Sequence, residues 1–228
     1  MVGGTKDDRM KTTMPRKKGD WFDGPNKLEQ LARELLWFSG MSVLEVSPSP
    51  SSFELAKLLR MKFFHLEMSA EQMELGQALA AQQEVHSQVA LWEEREKALD
   101  AWPSVDALVV RNVCGISMDM LQQLLRKLSC PGSLLLVWPV RLQSVSEAWE
   151  KTWNQLLCTP NELLFQLRGL GFESMKLECC PFVPKEQSSE ALQKDLEEGV
   201  TEKDLQLTAY ALVAATLLNN ENKIGFDR

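Results

Sequence analysis

Short apolar runs alternate with segments of helical periodicity along most of the chain. The apolar runs predict strands at 42–46, 62–66, 85–91, 105–110, 133–137, 172–179 and 207–215. Apolar residues that recur at three and four positions predict helices over 26–38, 53–60, 69–82, 118–127 and 159–169. Because strands and helices alternate, we predict a mostly parallel sheet with helices on both faces and a ligand crevice at the carboxyl ends of the strands. The last two strands lack a crossover between them and predict an antiparallel hairpin at one edge.

Local signals support several of these boundaries. Ser69 followed by Gln72 predicts a capping box at the start of one helix. Thr159 and Pro160 predict an N-cap and a first helical residue. Asp106 is the single polar residue of the fourth strand, and such a strand is typical of the inside of a parallel sheet.

The length of the chain favours one domain with extensions. Residues 1–20 hold clustered lysines and arginines without apolar periodicity, which indicates a flexible basic tail. A transit peptide is the alternative, but Asp7 and Asp8 oppose it because such peptides are poor in acidic residues. We therefore predict one domain over 21–218, with a charged insertion at about 185–204, and a C-terminal tail over 219–228.

Composition narrows the class of protein. The 228 residues are 44% hydrophobic and 25% charged, which are ordinary globular values, and every apolar stretch is too short to span a bilayer. The net charge of −7 does not indicate a face that binds nucleic acid phosphates. Five cysteines without a C-x-x-C pattern indicate a reducing intracellular compartment, the cytoplasm or an organellar matrix, and no metal site.

Five segments of the chain recur in one known family in the same order. They are 43–46 with the loop 47–51, 66–73, Asp106, the predicted turn 131–133, and 159–162 leading to Gly171. Together they resemble the class I S-adenosylmethionine-dependent methyltransferases, of the small-molecule type that includes ubiquinone and menaquinone methylases. The resemblance covers about residues 28–216 and implies a Rossmann-like α/β fold with a seven-stranded sheet.

The resemblance also implies a cofactor, S-adenosylmethionine. The residues that it assigns to cofactor binding are Glu45, Ser47, Ser49, Ser51, Glu67, Met68, Glu93 and Asn112. Glu67 follows Glu45 at about the twenty-residue separation expected between a nucleotide loop and a ribose carboxylate. Each acidic residue also has a structural alternative: Glu67 as a helix cap, Glu45 as an acceptor for loop amides, and Glu93 in a solvated charged face.

The loop 47–51 reads Ser-Pro-Ser-Pro-Ser where the family has glycines. Glycine permits a φ above zero and close approach to a ligand, and serine supplies neither freely. Pro48 and Pro50 remove two amide donors and favour extended angles at Ser47 and Ser49. We therefore predict an extended, stiff loop in which cofactor binding is weakened or lost.

No catalytic residue can be assigned from the sequence. Residues 111–114, after the fourth strand, do not match the Asn/Asp-Pro-Pro-aromatic motif of amine methylases. His65 and His86 have no evident partner and are interpreted as structural. Three tryptophans after the fifth strand are interpreted as core or partner contacts, with a substrate lid as the alternative: Trp138, Trp149 and Trp153.

Two functions therefore remain open. The first is a methyltransferase with an altered cofactor loop that acts on an unknown small molecule. The second is an inactive protein of the same fold that acts as an interaction or assembly module for a protein partner. The spacing of Glu45 and Glu67 favours the first, whereas the proline-rich loop and the missing catalytic motif favour the second.

Overall fold

A computed structural model describes residues 25–111, 116–147, 157–181 and 208–218. Its strands are β1 (Ser42–Val46), β2 (Lys62–Glu67), β3 (Ser87–Leu91), β4 (Val105–Arg111), β5 (Leu128–Arg141), β6 (Phe172–Pro181) and β7 (Thr208–Leu217). Its helices are α1 (Pro25–Glu34), α2 (Pro50–Leu58), α3 (Ala70–Gln83), α4 (Arg95–Ala101), α5 (Met118–Leu125) and α6 (Pro160–Gly169). None of the helices in these described ranges is long and apolar enough to cross a membrane. The two predicted tails, the charged insertion, Trp149 and Trp153 lie outside the described residues.

The strands form one seven-stranded sheet in the order β3-β2-β1-β4-β5-β7-β6. The strands β3, β2, β1, β4 and β5 pair in parallel. The strand β7 lies between β5 and β6 and is antiparallel to both. This order confirms the predicted parallel sheet with an antiparallel hairpin at one edge.

Alternate residues of the strands build two cores, one on each face of the sheet. The helices α1, α2 and α3 cover the face that carries Val43, Phe63, Ala107, Val109, Leu135 and Val137. The helices α4, α5 and α6 cover the face that carries Leu44, Val46, Leu108, Val110, Leu134 and Leu136. Trp138 belongs to the second core and is buried, as the core interpretation of this residue requires.

Helix caps follow the sequence signals closely. The Ser69 hydroxyl accepts a hydrogen bond from the Gln72 backbone N–H at 3.2 Å, and α3 begins at the next residue. Thr159 and Glu162 form a reciprocal capping box, with Pro160 as the first residue of α6. Each cap satisfies amide groups that the first helical turn leaves without partners.

Two of the predicted boundaries that differ from the structure have an evident physical cause. The first helix ends at Glu34 and not at Phe38, because Leu36 has a φ of 56° that interrupts helical geometry. The residues 131–133 do not turn the chain, because β5 already pairs with β4 at Leu128. The extra residues between that pair and the next one form a bulge within a longer strand.

The sheet reverses its strand order between β1 and β4. From β1 the chain proceeds outwards through β2 to β3, and from β4 it proceeds in the opposite direction to β5. Ligands of open α/β sheets bind outside the carboxyl ends of the strands at such a switch point. The crevice, defined here as the space at the carboxyl ends of β1 and β4, is therefore the candidate site.

Candidate functional site

The loop from β1 to α2 forms one wall of the crevice. Ser49 is extended, with φ −93° and ψ 164°, as predicted. The prediction for Ser47 is wrong, because its φ is 55°. Ser47 therefore adopts the left-handed conformation without being glycine, at a strain of about 1–2 kcal/mol.

A buried ion pair joins the two strands of the switch point. Arg111 is the last residue of β4, and its Nη1 donates to Glu45 Oε1 in β1. The two residues are 3% and 2% exposed. Nη1 also donates to the Ser47 carbonyl oxygen at 3.2 Å, so the guanidinium of Arg111 links β4 to the strand and to the loop that follows it.

The serine hydroxyls of the loop complete this network. Arg111 Nη2 donates to the hydroxyls of Ser49 and Ser52, both at 3.2 Å. Ser52 in turn donates to Glu45 Oε1 at 2.8 Å, and the Ser49 and Ser51 hydroxyls are 2.8 Å apart. The Ser49 hydroxyl thus binds both the Ser51 hydroxyl and the guanidinium of Arg111, whereas the Ser47 hydroxyl is buried without a hydrogen-bond partner among the described residues. Glu45 accepts from a guanidinium and a hydroxyl here, and not from loop amides as the structural alternative proposed.

Glu67 forms a second buried pair, with His65. The distance from His65 Nδ1 to Glu67 Oε1 is 3.0 Å, and the residues are 0% and 4% exposed. Burial raises the pKa of the Glu67 carboxyl, and the hydrogen bond from His65 opposes that shift. Since Ser69 caps α3, the interpretation of Glu67 as the cap is wrong. The structure also supplies the partner that His65 lacked in the sequence.

Aromatic rings and a glycine hold this second pair in place. The His65 ring stacks on Phe63 with centroids 5.3 Å apart and meets the edge of Phe53 at 5.5 Å. A Cβ atom at Gly76 of α3 would lie 2.8 Å from Glu67 Oε1. The absence of a side chain at Gly76 therefore lets α3 approach the carboxylate closely.

Met68 and Glu93, two further predicted cofactor residues, are not members of the Arg111 network. Met68 is half-buried and packs against the core under α4 to α6. Glu93 is exposed in a 3₁₀ turn over Trp92–Glu94, in agreement with a solvated charged segment. Asn112 lies outside the described residues.

Sequence reasoning missed the roles of Arg111 and Ser52. Arg111 was noted only as the start of a segment after β4, and its partner lies 66 positions earlier in the chain. The sequence did hold a signal for the pair of His65 and Glu67, because residues two apart on a strand share a face of the sheet. Phe53 lies in the core against Phe63 and not in the crevice.

Comparison with solved structures finds many with this fold. One of them is an S-adenosylmethionine-dependent methyltransferase from Thiobacillus denitrificans in complex with S-adenosyl-L-homocysteine, with a TM-score of 0.61 at 16% sequence identity. The match covers 86% of this chain and 92% of that chain. A methyltransferase from Geobacter sulfurreducens with the same ligand has a TM-score of 0.61 at 14% sequence identity, and the match covers 86% of this chain and 91% of that chain. The [4+2]-cyclase SpnF has a TM-score of 0.59 at 15% sequence identity, and the match covers 86% of this chain and 81% of that chain. No family model and no curated protein matches the sequence.

The chain therefore has the Rossmann-like fold of the class I S-adenosylmethionine-dependent methyltransferases. The match covers more than nine tenths of both methyltransferase chains. One neighbour is a cyclase, which illustrates that this fold hosts more than one reaction. The function of this chain has to be argued from its own crevice.

Proposed function

We propose that this protein is a non-catalytic form of the methyltransferase fold that acts as an interaction or assembly module. The observation that carries the proposal is the Arg111 guanidinium, which binds Glu45 and the loop across the switch point. Free thiols at Cys130, Cys158 and Cys179 support a reducing intracellular compartment, the cytoplasm or an organellar matrix.

The charge of the crevice supports this proposal. S-adenosylmethionine carries a cationic sulfonium, a cationic ammonium group and a carboxylate, and a free carboxylate at the crevice would attract its two cationic groups. Glu45 is already neutralised by Arg111 and accepts a further hydrogen bond from Ser52. The cationic groups of the cofactor would therefore meet an ion pair rather than a free carboxylate, and this attraction is lost.

The hydrogen-bond donors of the loop give a second line of support. Pro48 and Pro50 have no N–H group. The N–H of Ser47 donates to the Leu66 carbonyl at 2.9 Å, and the N–H of Ser49 faces the Ser52 hydroxyl at 3.3 Å. These amides are already bound within the protein, so a ligand in the crevice would have to displace protein contacts to reach them.

A methyltransferase with an altered loop is the second candidate. The neighbours bound to S-adenosyl-L-homocysteine favour it, since their fold covers the same part of the chain. The cofactor would then contact Glu45, the loop serines and Glu67, and Arg111 would have to leave its present position. The substrate would be a small molecule that the geometry does not specify.

Calorimetry with S-adenosylmethionine and S-adenosylhomocysteine distinguishes the two candidates. We expect no heat of binding with either ligand at millimolar concentration. Micromolar binding that Glu67→Ala abolishes would instead support the enzyme. The matched control is Glu96→Ala, because Glu96 is an exposed glutamate of α4, outside the pairs described above.

A further inference from the structure

The strand β3 forms one edge of the sheet and is regular and uncharged. It pairs with β2 over the whole range Ser87–Leu91 without a register shift, and no second strand pairs with it among the described residues. Alternate N–H and C=O groups of an edge strand point away from the sheet, where another chain can pair with them. The sequence of β3, Ser-Gln-Val-Ala-Leu, contains no charge and no proline that would oppose such pairing.

The other edge strand, β6, is built differently. Its pairing with β7 shifts register between Glu173 and Lys176, and Ser174 within this bulge has a φ of 49°. The side chains of Glu173 and Lys176 are charged and exposed. Bulges and charged residues, lysine above all, keep edge strands from pairing with other chains. The sheet therefore has one protected edge, at β6, and one edge, at β3, that can accept a strand.

The side chains beside the β3 edge are only partly covered. Val89 and Leu91 are half-buried, on the face of the sheet that α3 covers. This helix gives them little cover, because only Gly76 and Ala80 of its 14 residues are buried. On the opposite face, Ala90 packs against the core and is also half-buried. An added strand would bury more of this apolar surface on both faces.

Most of the net charge of the protein lies in the unit that contains this edge. Seven acidic and two basic residues occur in the range 70–101, which holds α3, β3 and α4, so the unit carries −5 of the total of −7 when histidine is counted as neutral. All seven carboxylates are exposed. Within the described part of the chain only one of them has an ion pair, Glu84 with Lys57 at 4.0 Å.

The negative charge is concentrated at the carboxyl end of β3. Glu93 and Glu94 directly follow this end, and Glu71 lies in the first turn of α3, which begins beside it. The nearest cation is Arg95, whose guanidinium lies 4.9 Å from the centroid of the Trp92 ring and donates to the Trp92 carbonyl at 3.2 Å. Lys97, one turn later in α4, is the other base of the unit. Acidic groups still outnumber basic ones at this end.

The amino end of β3 is not acidic. Glu84 and His86 precede the strand there, and basic residues lie in and before the neighbouring strand β2: Lys57, Arg60 and Lys62. A charged partner is therefore attracted by the end of β3 near Leu91 and not by the end near Ser87.

We propose that β3 binds an extended basic segment of a partner protein as an additional strand of the sheet. The backbone groups of β3 supply the hydrogen bonds, and the carboxylates after Leu91 select basic side chains at that end. This inference rests on the proposed role as an interaction module and names the surface and the partner chemistry.

Other occupants fit this edge less well. In a second copy of this chain, antiparallel pairing of two β3 strands about a two-fold axis at Val89 would place Glu94 of one copy opposite Glu84 of the other. Like charges directly opposite each other destabilise a strand pair. Nucleic acids and anionic membranes are negatively charged, so the exposed carboxylates repel both.

The test is a selection of displayed random peptides on the full-length protein, with counter-selection on Glu93→Lys/Glu94→Lys. We expect the enriched peptides to be basic and to carry β-branched or aromatic residues at alternate positions. They should bind this variant at least tenfold more weakly. The control Glu54→Lys/Glu173→Lys makes the same changes at exposed glutamates of α2 and β6, and it should change affinity less than twofold.

Pairing through the backbone is tested on the enriched peptide itself. Methylation of a backbone N–H removes a hydrogen-bond donor and leaves the side chains and the charge unchanged. Because alternate N–H groups of an added strand face β3, methylation at odd positions and at even positions should have different effects. One of the two methylated peptides should bind at least tenfold more weakly, and the affinity of the other should change less than twofold.

Several results would overturn the inference. They are enrichment of neutral or acidic peptides, no enrichment of any peptide, undiminished binding to Glu93→Lys/Glu94→Lys, an equal loss in the control variant, and equal effects of the two methylation patterns. Dimerisation in sedimentation experiments that Gln88→Lys abolishes would assign the edge to a second copy and would also overturn it. Cofactor calorimetry is independent: cofactor binding together with basic peptides contradicts the proposed function alone, and neither cofactor nor peptide binding contradicts this inference alone.

Discussion

Replacing Arg111 by methionine removes a charge from the buried pair while keeping most of the aliphatic volume. Glu45, which is 2% exposed, then lacks its counter-ion. Loss of one partner of a buried pair destabilises a protein by about 3–5 kcal/mol. We expect Arg111→Met to lower the free energy of unfolding by that amount at pH 7.

The matching change Glu45→Gln leaves the guanidinium of Arg111 buried and should be destabilising for the same reason. The double variant Arg111→Met/Glu45→Gln buries no charge, so much of the loss should be recovered. Pairs in direct contact typically show a coupling free energy of about 0.5–3 kcal/mol, and the burial here places the expected value at about 2 kcal/mol or more. Urea unfolding followed by tryptophan fluorescence and circular dichroism measures all four free energies.

The exposed pair Arg33–Glu29 provides the control, since it joins the same residue types at the protein surface. The double-mutant cycle of Arg33→Met and Glu29→Gln should give a coupling free energy of about 0.3–0.5 kcal/mol. A coupling for Arg111 and Glu45 no larger than this value would refute the argument that the ion pair stabilises the junction of β1, β4 and the loop.

Three further predictions follow from the pair of His65 and Glu67 and from the half-buried thiol of Cys158. Gly76→Ala should destabilise the protein by about 1–3 kcal/mol in urea unfolding, because the alanine Cβ would overlap Glu67 Oε1. The additional change Glu67→Ala should restore part of the lost stability. Burial raises the pKa of the Glu67 carboxyl in the folded protein above its ordinary value of 4.5. The contribution of this carboxyl to stability is therefore present below pH 4.5 and is lost as the pH rises through the folded pKa. Glu67→Gln should gain stability relative to the wild type above about pH 4.5, and a difference independent of pH in urea titrations would contradict this. Burial also raises the pKa of the Cys158 thiol from 9.0 to about 11. Its alkylation by iodoacetamide at pH 8, followed by mass spectrometry, should be about a hundredfold slower in the folded protein than in urea, whereas equal rates would contradict its burial.

The fold could be predicted from the sequence because its signals are local. Apolar runs such as 105–110 predict parallel strands, and the pair Thr159–Glu162 predicts a helix start that the structure confirms. The predictions at Leu36 and at 131–133 were wrong for different reasons. At Leu36 the helix ends in a local cap, in which the N–H groups of Leu36 and Trp37 donate to the carbonyls of Arg33 and Ala32. At 131–133 the outcome depends on the pairing of β5 with its neighbour β4.

The site could be predicted only in part, because its contacts join distant segments. The family resemblance assigned Glu45, the loop serines and Glu67 to the site from their places in or next to the first two strands. The pairing of Glu45 with Arg111 depends on the adjacency of β1 and β4 in the sheet. The order of the strands along the chain does not determine this adjacency. The directions of the Ser49 and Ser52 hydroxyls depend on the same guanidinium.

Burial decides how the ionisable groups near the crevice can act. Glu45, His65, Glu67 and Arg111 are each no more than 4% exposed, and each has a partner within the protein. A side chain that contacts a substrate or transfers a proton to it has to lie within hydrogen-bond distance of that substrate. In this conformation His65 and Glu67 contact each other, and Glu45 and Arg111 contact each other and the start of the loop that follows β1. A catalytic role would require these groups to exchange contacts within the protein for contacts with a substrate.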